Sequence, residues 1–365
     1  MNSKPFLFTP DKLLIEERVL NLPFTKEIVK KVPLASSKII TTINDYLSHN
    51  TDFDYKGSTL VLAKQEGQFF KNCPCTQNHV CCNYYFLNIG TNCNIGCSYC
   101  ILQGYLNNPF LTVYTNLDDM FLELDELFHN SSSFIRVGTG ELTDSLLLDD
   151  LTNLSSKLIP YFLKQPNAIL ELKTKTVNID NLLNFNPAKK IMVSWSLNPQ
   201  TIIDKEEPYA ASLIKRLEAA ARCARQGYLL GFHFDPILYY PEWETGYLNT
   251  IDLLFEWINP DQIAWISLGT LRYPKMMDAI IRKNHPLSEI VLSELLPGLD
   301  GKMRYFKPLR ESMLKAIRNH IIKVAPEVEV YFCMESMEVW ENICGSQVFF
   351  NNSLPKKLDN SVRKR

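Results

Sequence analysis

The sequence predicts an α/β fold built on a mainly parallel sheet. Apolar, β-rich segments recur from residue 84 onward, and helix-like stretches separate most of them. This alternation is typical of a complete or partial (β/α) barrel, or of an open doubly wound sheet. Polar residues follow several of these segments directly, as expected where the carboxyl ends of parallel strands form a site.

The elements before residue 84 are less regular than those after it. Helix-like runs are predicted at Lys26–Lys31 and Ser36–Leu47, and a strand is predicted at Ser58–Lys64. Farther along, Asn116 is predicted to cap a helix with an acidic first turn. Another helix is predicted over Leu213–Gln226, where a glycine ends it.

Seven segments form the predicted strands of the main sheet. They are short, apolar and rich in β-branched or aromatic residues, as buried strands are. The segments are Tyr84–Ile89, Phe134–Val137, Ile169–Leu172, Ile191–Ser196, Leu229–Phe234, Ile263–Leu268 and Val328–Phe332.

Three cysteines follow the first of these strands on one tight loop. Cys93, Cys97 and Cys100 are separated by three and then two residues. A 4Fe-4S cluster usually takes four cysteine ligands, so a compact triplet predicts a cluster whose fourth iron binds something else. In radical S-adenosylmethionine enzymes such a cluster, once reduced, cleaves the cofactor to a 5′-deoxyadenosyl radical that takes hydrogen from a substrate. Zinc is the main alternative, although structural zinc sites favour two pairs of ligands at short spacing.

A short set of small or polar residues lies where the predicted strands end. Glycines would let the backbone approach a ligand, a glutamate could accept from an ammonium group, and a lysine could bind a carboxylate. Each residue alone also has a structural explanation as a turn, a cap or a solvated side chain. Several in register behind the triplet favour a site. These residues are Gly138, Gly140, Glu141, Lys175, Ser196, Asn198 and Asp235.

Composition favours a cytoplasmic enzyme. The chain has 365 residues, 10 cysteines and a formal net charge of -2. It has no apolar run of about eighteen residues and no long apolar segment at its start, so we expect no membrane span and no signal peptide. In the cytoplasm, so many cysteines indicate metal or cluster ligation rather than disulfides. The near-neutral charge gives no general support for nucleic-acid binding.

Several further stretches carry more specific information and occur in a family's order. They are Cys97–Gln103, Val113–Asp119, Leu172–Lys175, Trp195–Asn198, Gly227–Phe232 and Glu242–Tyr247. In these stretches, from about residue 80 to about residue 310, the sequence resembles spore photoproduct lyase and its relatives. Those proteins are radical S-adenosylmethionine enzymes on a partial α/β barrel.

The resemblance implies a place for each part of the site. The cysteine triplet would hold the 4Fe-4S cluster, and Lys175 and Ser196 would contact S-adenosylmethionine. Together with Gly138, Gly140, Asn198 and Asp235 they form the predicted cofactor-binding set. Tyr99 would lie near the substrate, and Glu141 completes the predicted catalytic pair.

The resemblance also implies an activity. Spore photoproduct lyase repairs a methylene-bridged thymine dimer in DNA: it abstracts a hydrogen from the lesion, the bridge fragments, and the product radical needs a hydrogen returned. We therefore expect a lyase-type DNA repair enzyme, served by an electron donor such as flavodoxin or ferredoxin. A radical enzyme acting on another substrate is the nearest alternative.

We accordingly predict three parts of the chain. Residues 1–83 form a smaller N-terminal α/β region with a cysteine-rich segment. Residues 84–335 form the partial (β/α) barrel of the radical S-adenosylmethionine type. Residues 336–365 form a C-terminal extension that ends in a mobile basic tail.

Two positions depart from the family at the step that returns the hydrogen. The family's donor is a cysteine at the end of the strand that follows the cluster helix, and the matching position here is Gly138. A tyrosine directly after the third cluster cysteine is thought to relay hydrogen, and here that position is Ile101. Neither side chain can replace a thiol or a phenol, so the usual route of repair is in question.

A second group of cysteines precedes the triplet. Cys73, Cys75, Cys81 and Cys82 lie within ten residues, with His79 among them. They could bind zinc or a second iron–sulfur cluster, supply the missing hydrogen donor, or be buried as small hydrophobic residues. The isolated cysteines Cys223, Cys333 and Cys344 are predicted to be structural.

Basic and aromatic residues alternate in the stretch from Lys302 to Arg310, a mixture suited to phosphate contact and base stacking. The alternative is a solvated hairpin or helix start. A non-catalytic, cysteine-rich metalloprotein that binds nucleic acid is therefore the competing class of function. His233, on an apolar strand, is predicted to be a satisfied core residue.

Overall fold

A curled, mainly parallel sheet forms the centre of this protein, seen here in a computed structural model that describes residues 8–32, 37–50, 58–74, 78–346 and 353–363. Its strands alternate with helices as the sequence predicts, so the expected α/β half-barrel is confirmed. The strands are, in chain order, β1 (Lys12–Glu16), β2 (Ser37–Ile40), β3 (Thr59–Ala63), β4 (Phe70–Asn72), β5 (Tyr85–Leu87), β6 (Gly90–Thr91), β7 (Leu111–Tyr114), β8 (Ile135–Gly138), β9 (Ala168–Thr174), β10 (Ile191–Ser196), β11 (Leu229–Ile237), β12 (Ile263–Thr270), β13 (Arg272–Pro274), β14 (Leu295–Pro297), β15 (Lys302–Tyr305) and β16 (Glu329–Phe332).

Helices connect most of the parallel strands, and none in the described part of the chain has the length and apolar character needed to cross a membrane. They are α1 (Pro23–Val29), α2 (Ile43–His49), α3 (Leu102–Tyr105), α4 (Leu117–Asn130), α5 (Asp149–Thr152), α6 (Ser155–Leu163), α7 (Gln200–Glu206), α8 (Leu213–Arg225), α9 (Trp243–Trp257), α10 (Met277–Asn284), α11 (Lys307–Val324), α12 (Met337–Cys344) and α13 (Leu354–Arg363).

The large sheet has the strand order β16-β12-β11-β10-β9-β8-β5-β4, with β4 antiparallel to β5 and the other pairs parallel. Successive side chains point to opposite faces of a strand. One face is apolar and contacts α6, α8 and α11. The other face, here called the polar face, carries Arg136, Gly138, Glu171, Lys173, Ser194, His233, Asp235 and Ser267.

A second sheet has the order β2-β1-β3-β7-β6. It is parallel except for the pair of β6 with β7. Strands β6 and β7 lie beyond residue 83 in the chain, whereas β4, which lies before it, pairs with β5 of the large sheet. Each sheet therefore contains strands from both sides of residue 83. The proposed division into domains stays a prediction.

The helix predicted at Ser36–Leu47 is wrong in its first half. Residues Ser37–Ile40 form β2, which pairs with β1 in parallel. The helix starts only at Ile43, where the Thr42 hydroxyl accepts a hydrogen bond from the Asp45 N–H at 3.0 Å. Pairing with a buried neighbouring strand overrides the local helical pattern.

The C-terminal segment is ordered against the barrel over residues 353–363. Leu354, Leu358 and Val362 of α13 are buried, and Asp359 accepts from the Arg136 guanidinium at 2.8 Å. This part of the predicted mobile tail is therefore a packed helix, because its apolar residues recur at helical spacing.

The basic and aromatic stretch forms strand β15 of a small antiparallel sheet, β13-β15-β14, and the start of α11. The hairpin and helix-start alternative is confirmed. Each basic side chain in it lies within 4 Å of a carboxylate, and Lys302 and Arg304 share one. The pairs are Lys302 and Arg304 with Asp300, Lys307 with Glu338, and Arg310 with Glu335.

Candidate active site

The cysteine triplet lies on a tight loop between β6 and α3. Two residues with left-handed backbone, Asn92 (φ 69°) and Gly96 (φ 70°), allow the chain to turn there. The Asn92 amide also donates to the carbonyl oxygens of Asn108 and Phe110, at 2.6 and 2.8 Å. The loop Cys93–Cys100 is thus closed by contacts with the segment that leads into β7.

Gln103 holds the second half of this loop. Its Nε2 lies 3.1 Å from the carbonyl oxygens of Cys97 and Ser98, and 3.3 Å from that of Cys100. Its Oε1 accepts from Asn284 of α10 at 3.0 Å. One amide side chain therefore fixes the backbone on which two of the three thiols lie.

The thiols of the loop fit a 4Fe-4S cluster. Cys93, Cys97 and Cys100 form no disulfide. Burial raises their pKa values, that of Cys97 to about 12, so each stays a thiol until a metal displaces its proton. Within the described ranges, no group of three or more Cys, His, Asp or Glu side chains is arranged to hold a single metal ion. In a cluster each thiolate binds a different iron, so its ligands need not converge on one point.

A buried polar network holds the loop against β10 and α8. The Tyr99 hydroxyl donates to Glu207, which also pairs with Arg216, and both charged side chains are 0% exposed. Asn198 donates to the same carboxylate at 2.9 Å. Burial alone raises the pKa of Glu207, but the Arg216 guanidinium outweighs it and lowers the pKa to about 2. The predicted residues Tyr99 and Asn198 are therefore joined through Glu207 and Arg216, which the sequence analysis missed.

Lys175 lies beside the cysteine loop. Its ammonium group is 5.6 Å from the centre of the Tyr99 ring. Burial lowers the pKa of Lys175, but Cys97 and Glu207 outweigh burial and raise it. Asp144, a further residue that the sequence analysis missed, accepts a hydrogen bond from the backbone N–H of Lys175 at 2.8 Å. The structure thus brings this lysine next to the loop that carries the thiols.

Glu141 pairs with Lys173, two residues before the predicted lysine. The Nζ to Oε1 distance is 2.9 Å, and the side chains are 24% and 27% exposed. Burial lowers the pKa of Lys173, but Glu141 and Glu171 outweigh it and raise the pKa above its ordinary range. A Cβ at Gly140 would lie 3.0 Å from the Lys173 Cβ, so a glycine there leaves room for this lysine.

Asp235 and Ser196 lie at the ends of neighbouring strands, and both contact arginines. The Asp235 carboxylate accepts from Arg272 at 2.8 and 2.9 Å, and a cis peptide bond follows it. Burial raises the pKa of Asp235, but Arg272 outweighs burial and lowers it. The Ser196 carbonyl accepts from Arg216 at 2.8 Å. Arginines therefore fix both strand ends.

Gly138 has no room for a side chain. A Cβ there would lie 1.8 Å from the hydroxyl oxygen of Tyr84. That hydroxyl donates to Glu171 at 2.5 Å, and the carboxylate also accepts from Ser194 and lies 2.9 Å from His233 Nε2. The prediction of a satisfied core histidine is confirmed. Tyr84 and Glu171 are functional candidates that the sequence analysis missed.

Ile101, the second position that the resemblance predicts to depart from the family, has a different environment. Its side chain is 46% exposed at the start of α3.

The described residues of the cysteine-rich segment, 73–74 and 78–82, contact both edges of the large sheet. After β4, the Cys73 N–H donates to the Tyr84 carbonyl at 2.9 Å. The Val80 N–H donates to the Glu335 carbonyl, just beyond β16, at 3.0 Å, and His79 forms a bridge with Ser336. The segment thus links the two edges of the half-barrel.

Some thiols of this segment lie near the polar face. Burial, then Glu141 and Cys82, raises the pKa of Cys73 to about 12. Cys333, predicted to be structural, interacts electrostatically with both of these cysteines, and its sulfur accepts from Arg272 at 3.4 Å. Cys75 lies outside the described residues.

Known proteins of one family are similar to this chain. The family model described as spore photoproduct lyase matches residues 8–333. The spore photoproduct lyase of Bacillus subtilis (strain 168) is 26% identical over 347 residues, which cover 89% of this chain and 98% of the relative. That of Geobacillus sp. (strain Y412MC61) is 25% identical over 351 residues, with 90% and 99% covered.

Solved structures show the same similarity. A mutant of spore photoproduct lyase matches with a TM-score of 0.80 at 25% identity, covering 90% of this chain and 100% of that one. A second mutant, solved with bound AdoMet and dinucleoside spore photoproduct, matches with a TM-score of 0.79 at 25% identity and the same coverage.

Proposed function

This chain belongs to the spore photoproduct lyase family, and we propose that it repairs the spore photoproduct, a methylene-bridged thymine dimer in DNA. As a member of that family it is a radical S-adenosylmethionine enzyme of the lyase type. The similarity extends over nearly the whole length of the relatives, so it includes the substrate side of the barrel as well as the cysteine loop.

The single observation that carries the proposal is the anchored cysteine loop. Three thiols, of which that of Cys97 is buried and those of Cys93 and Cys100 are partly exposed, lie on a loop whose backbone is fixed by Gln103 and the Tyr99–Glu207–Arg216 network. When bound, the cluster and S-adenosylmethionine would supply a carbon-centred radical that abstracts hydrogen from the lesion. The protein's part is to hold and orient these groups, for which rigid anchoring is the main requirement.

We assign Cys93, Cys97 and Cys100 as the cluster ligands. For S-adenosylmethionine we assign the strand ends at Gly138, Gly140, Lys175, Ser196, Asn198 and Asp235. Lys175 would face the carboxylate of the cofactor, because its ammonium group lies beside the loop. Glu141, with one oxygen held by Lys173, would accept from the cofactor's ammonium group through the other. Tyr99 would act near the substrate as a positioning residue, since its hydroxyl is held by Glu207.

Further parts of the proposal concern partners and location. A one-electron donor of the flavodoxin or ferredoxin class would reduce the cluster. A cytoplasmic location and a second metal or cluster at Cys73, Cys75, Cys81 and Cys82 stay predictions.

Anaerobic reconstitution tests the proposal. After reduction, the protein should cleave S-adenosylmethionine to 5′-deoxyadenosine and convert dinucleoside spore photoproduct to repaired dinucleotide. Cys97→Ala should abolish the cleavage, because it removes a cluster ligand. The control Cys223→Ala, in a buried position on α8, should leave it intact. Equal cleavage by wild type and Cys97→Ala would contradict the assignment.

The iron content separates two forms of the site. About four irons per chain indicate one cluster at the triplet, and about eight place a second cluster on the Cys73–Cys82 segment. Bound zinc without cofactor cleavage would favour a non-catalytic metalloprotein instead.

A further inference from the structure

The space left by the family's missing side chain at Gly138 is filled by a residue from another part of the chain. Tyr84 lies fifty-four positions earlier, at the entry to β5, yet its hydroxyl oxygen would be only 1.8 Å from a Cβ at Gly138. Side chains and glycines that share a volume so closely cannot be changed independently. The tyrosine at position 84 therefore requires a glycine at position 138.

Tyr84 is held in this place from both ends. Its carbonyl accepts from the Cys73 N–H at 2.9 Å, which extends the antiparallel pair β4–β5 by one step. Its hydroxyl donates to Glu171 at 2.5 Å. Glu171 is fixed in turn by Ser194 and His233 on the next two strands. The phenol is therefore oriented within the polar face, and the residue itself is only partly buried.

The family's chemistry requires a hydrogen at this place. On the proposed function, on which this inference rests, fragmentation of the lesion leaves a carbon radical that needs one hydrogen atom. Glycine at position 138 has no transferable hydrogen on a heteroatom. The O–H group nearest to the vacant position is that of Tyr84.

We propose that Tyr84 is the hydrogen donor of this enzyme and replaces the cysteine found at the position of Gly138 elsewhere in the family. The O–H bond of Tyr84 breaks homolytically, the hydrogen atom forms a C–H bond with the product radical, and the ring is left as a neutral phenoxyl radical. One electron from a reductant of the flavodoxin or ferredoxin class and one proton from solvent restore the phenol.

The surroundings keep the donor in its protonated form. Burial and the neighbouring Glu171 carboxylate raise the pKa of Tyr84 well above its usual value, so the hydroxyl holds its hydrogen at neutral pH. The competing donors are the thiols of the cysteine-rich segment and of Cys333, which interacts electrostatically with Cys73 and Cys82.

Turnover in deuterated water tests the donor directly. Because a phenol exchanges its hydrogen with solvent, the wild-type protein should place one deuterium in the repaired dinucleotide. Tyr84→Phe should still form 5′-deoxyadenosine and consume the lesion, but the fraction that becomes repaired dinucleotide should fall sharply. Tyr85→Phe removes a phenol one residue away and should behave like wild type.

Three results would overturn the inference. They are a repaired product without deuterium, unchanged repair by Tyr84→Phe, and loss of repair in Cys73→Ala or Cys333→Ala while Tyr84→Phe remains active. Absence of 5′-deoxyadenosine from the wild-type protein would count against the proposed function instead. Melting of the cofactor-free protein tests the Gly138–Tyr84 contact whether or not the protein cleaves S-adenosylmethionine.

Melting of the protein without cofactors tests the shared space. Gly138→Cys should lower Tm by several degrees, because the new side chain overlaps the Tyr84 hydroxyl. In a Tyr84→Ala background the same substitution should cost much less. Equal costs in both backgrounds would refute the arrangement. In loaded enzyme, Gly138→Cys/Tyr84→Ala should recover repair that Tyr84→Ala alone has lost.

Discussion

The cysteine loop and the Gly138 position differ in how they keep the family's chemistry. At the loop, the three thiols lie on a backbone whose supports are buried and charged: Glu207 and Arg216 are both fully enclosed. At Gly138, where the resemblance predicts that the family's side chain is missing, the hydroxyl of Tyr84 occupies the space. On the proposed function, the residues that hold the cluster and the residues that return the hydrogen would therefore form two separate sets.

Breaking the support of the loop should have the largest effect. Arg216→Met would leave the enclosed Glu207 carboxylate without its partner, and we expect a loss of about 3–5 kcal/mol in the free energy of unfolding. Urea unfolding measures it. The matched control on the same helix is Arg222→Met, whose pair with Asp180 is exposed, and it should cost less than about 1 kcal/mol. Similar costs at the two positions would mean that the network does not anchor the loop.

Lowering the pH should reduce the free energy of unfolding, because it protonates Glu171, which contacts Tyr84 beside Gly138. Burial alone raises the pKa of Glu171, but His233, Ser194 and Tyr84 outweigh it and lower the pKa to about 2, from 4.5 in the unfolded chain. A lowered pKa stabilises the fold above about pH 4.5 and loses that contribution as the pH falls toward 2, a total of about 3 kcal/mol.

Urea midpoints measured from pH 5.5 down to 3.5 check this expectation. Wild type should lose stability over this range faster than Glu171→Gln, which cannot titrate. Glu218→Gln, exposed on α8, should follow wild type. Parallel curves for wild type and Glu171→Gln would show that this carboxylate is not held in its ionised form.

Substitutions of Lys175 and Lys173 should affect S-adenosylmethionine binding to different extents. Lys175 lies by the cysteine loop and Lys173 by Glu141. In reconstituted protein, Lys175→Met should raise the Kd for S-adenosylmethionine about tenfold, since it removes one charged contact. Lys173→Met should raise it less, about twofold to threefold, because Lys173 would act on the cofactor only through Glu141. Calorimetric titration decides, and equal effects would contradict a direct contact of Lys175 with the cofactor.

The smallest change is expected at Ile101. Its half-exposed side chain leaves space for the family's tyrosine, so Ile101→Tyr should alter the free energy of unfolding by no more than about 0.5 kcal/mol. Gly138→Cys, by contrast, meets the Tyr84 hydroxyl. A large loss of stability in Ile101→Tyr would contradict this contrast between the two positions.

A sequence pattern could have identified some of the site residues that the sequence analysis missed. Polar or small residues occupy every second position at Glu171, Lys173 and Lys175, and again at Gly231, His233 and Asp235. A period of two within otherwise apolar strands indicates one polar face, so Glu171 and Lys173 were accessible to this signal. The strand at Ser37–Ile40 was not, because its pairing with β1 is a tertiary contact.

The α/β alternation and the cysteine triplet follow from the sequence alone, because spacing fixes which thiols share a loop and apolar periodicity fixes which segments are strands. The loss of a donor at Gly138 is what the family resemblance predicts. Only the tertiary structure decided that Tyr84 fills the vacant position and that Glu207 and Arg216 hold Tyr99. Those contacts join side chains from segments far apart in the chain, and their distances depend on how the sheet curls and how its edges are bridged.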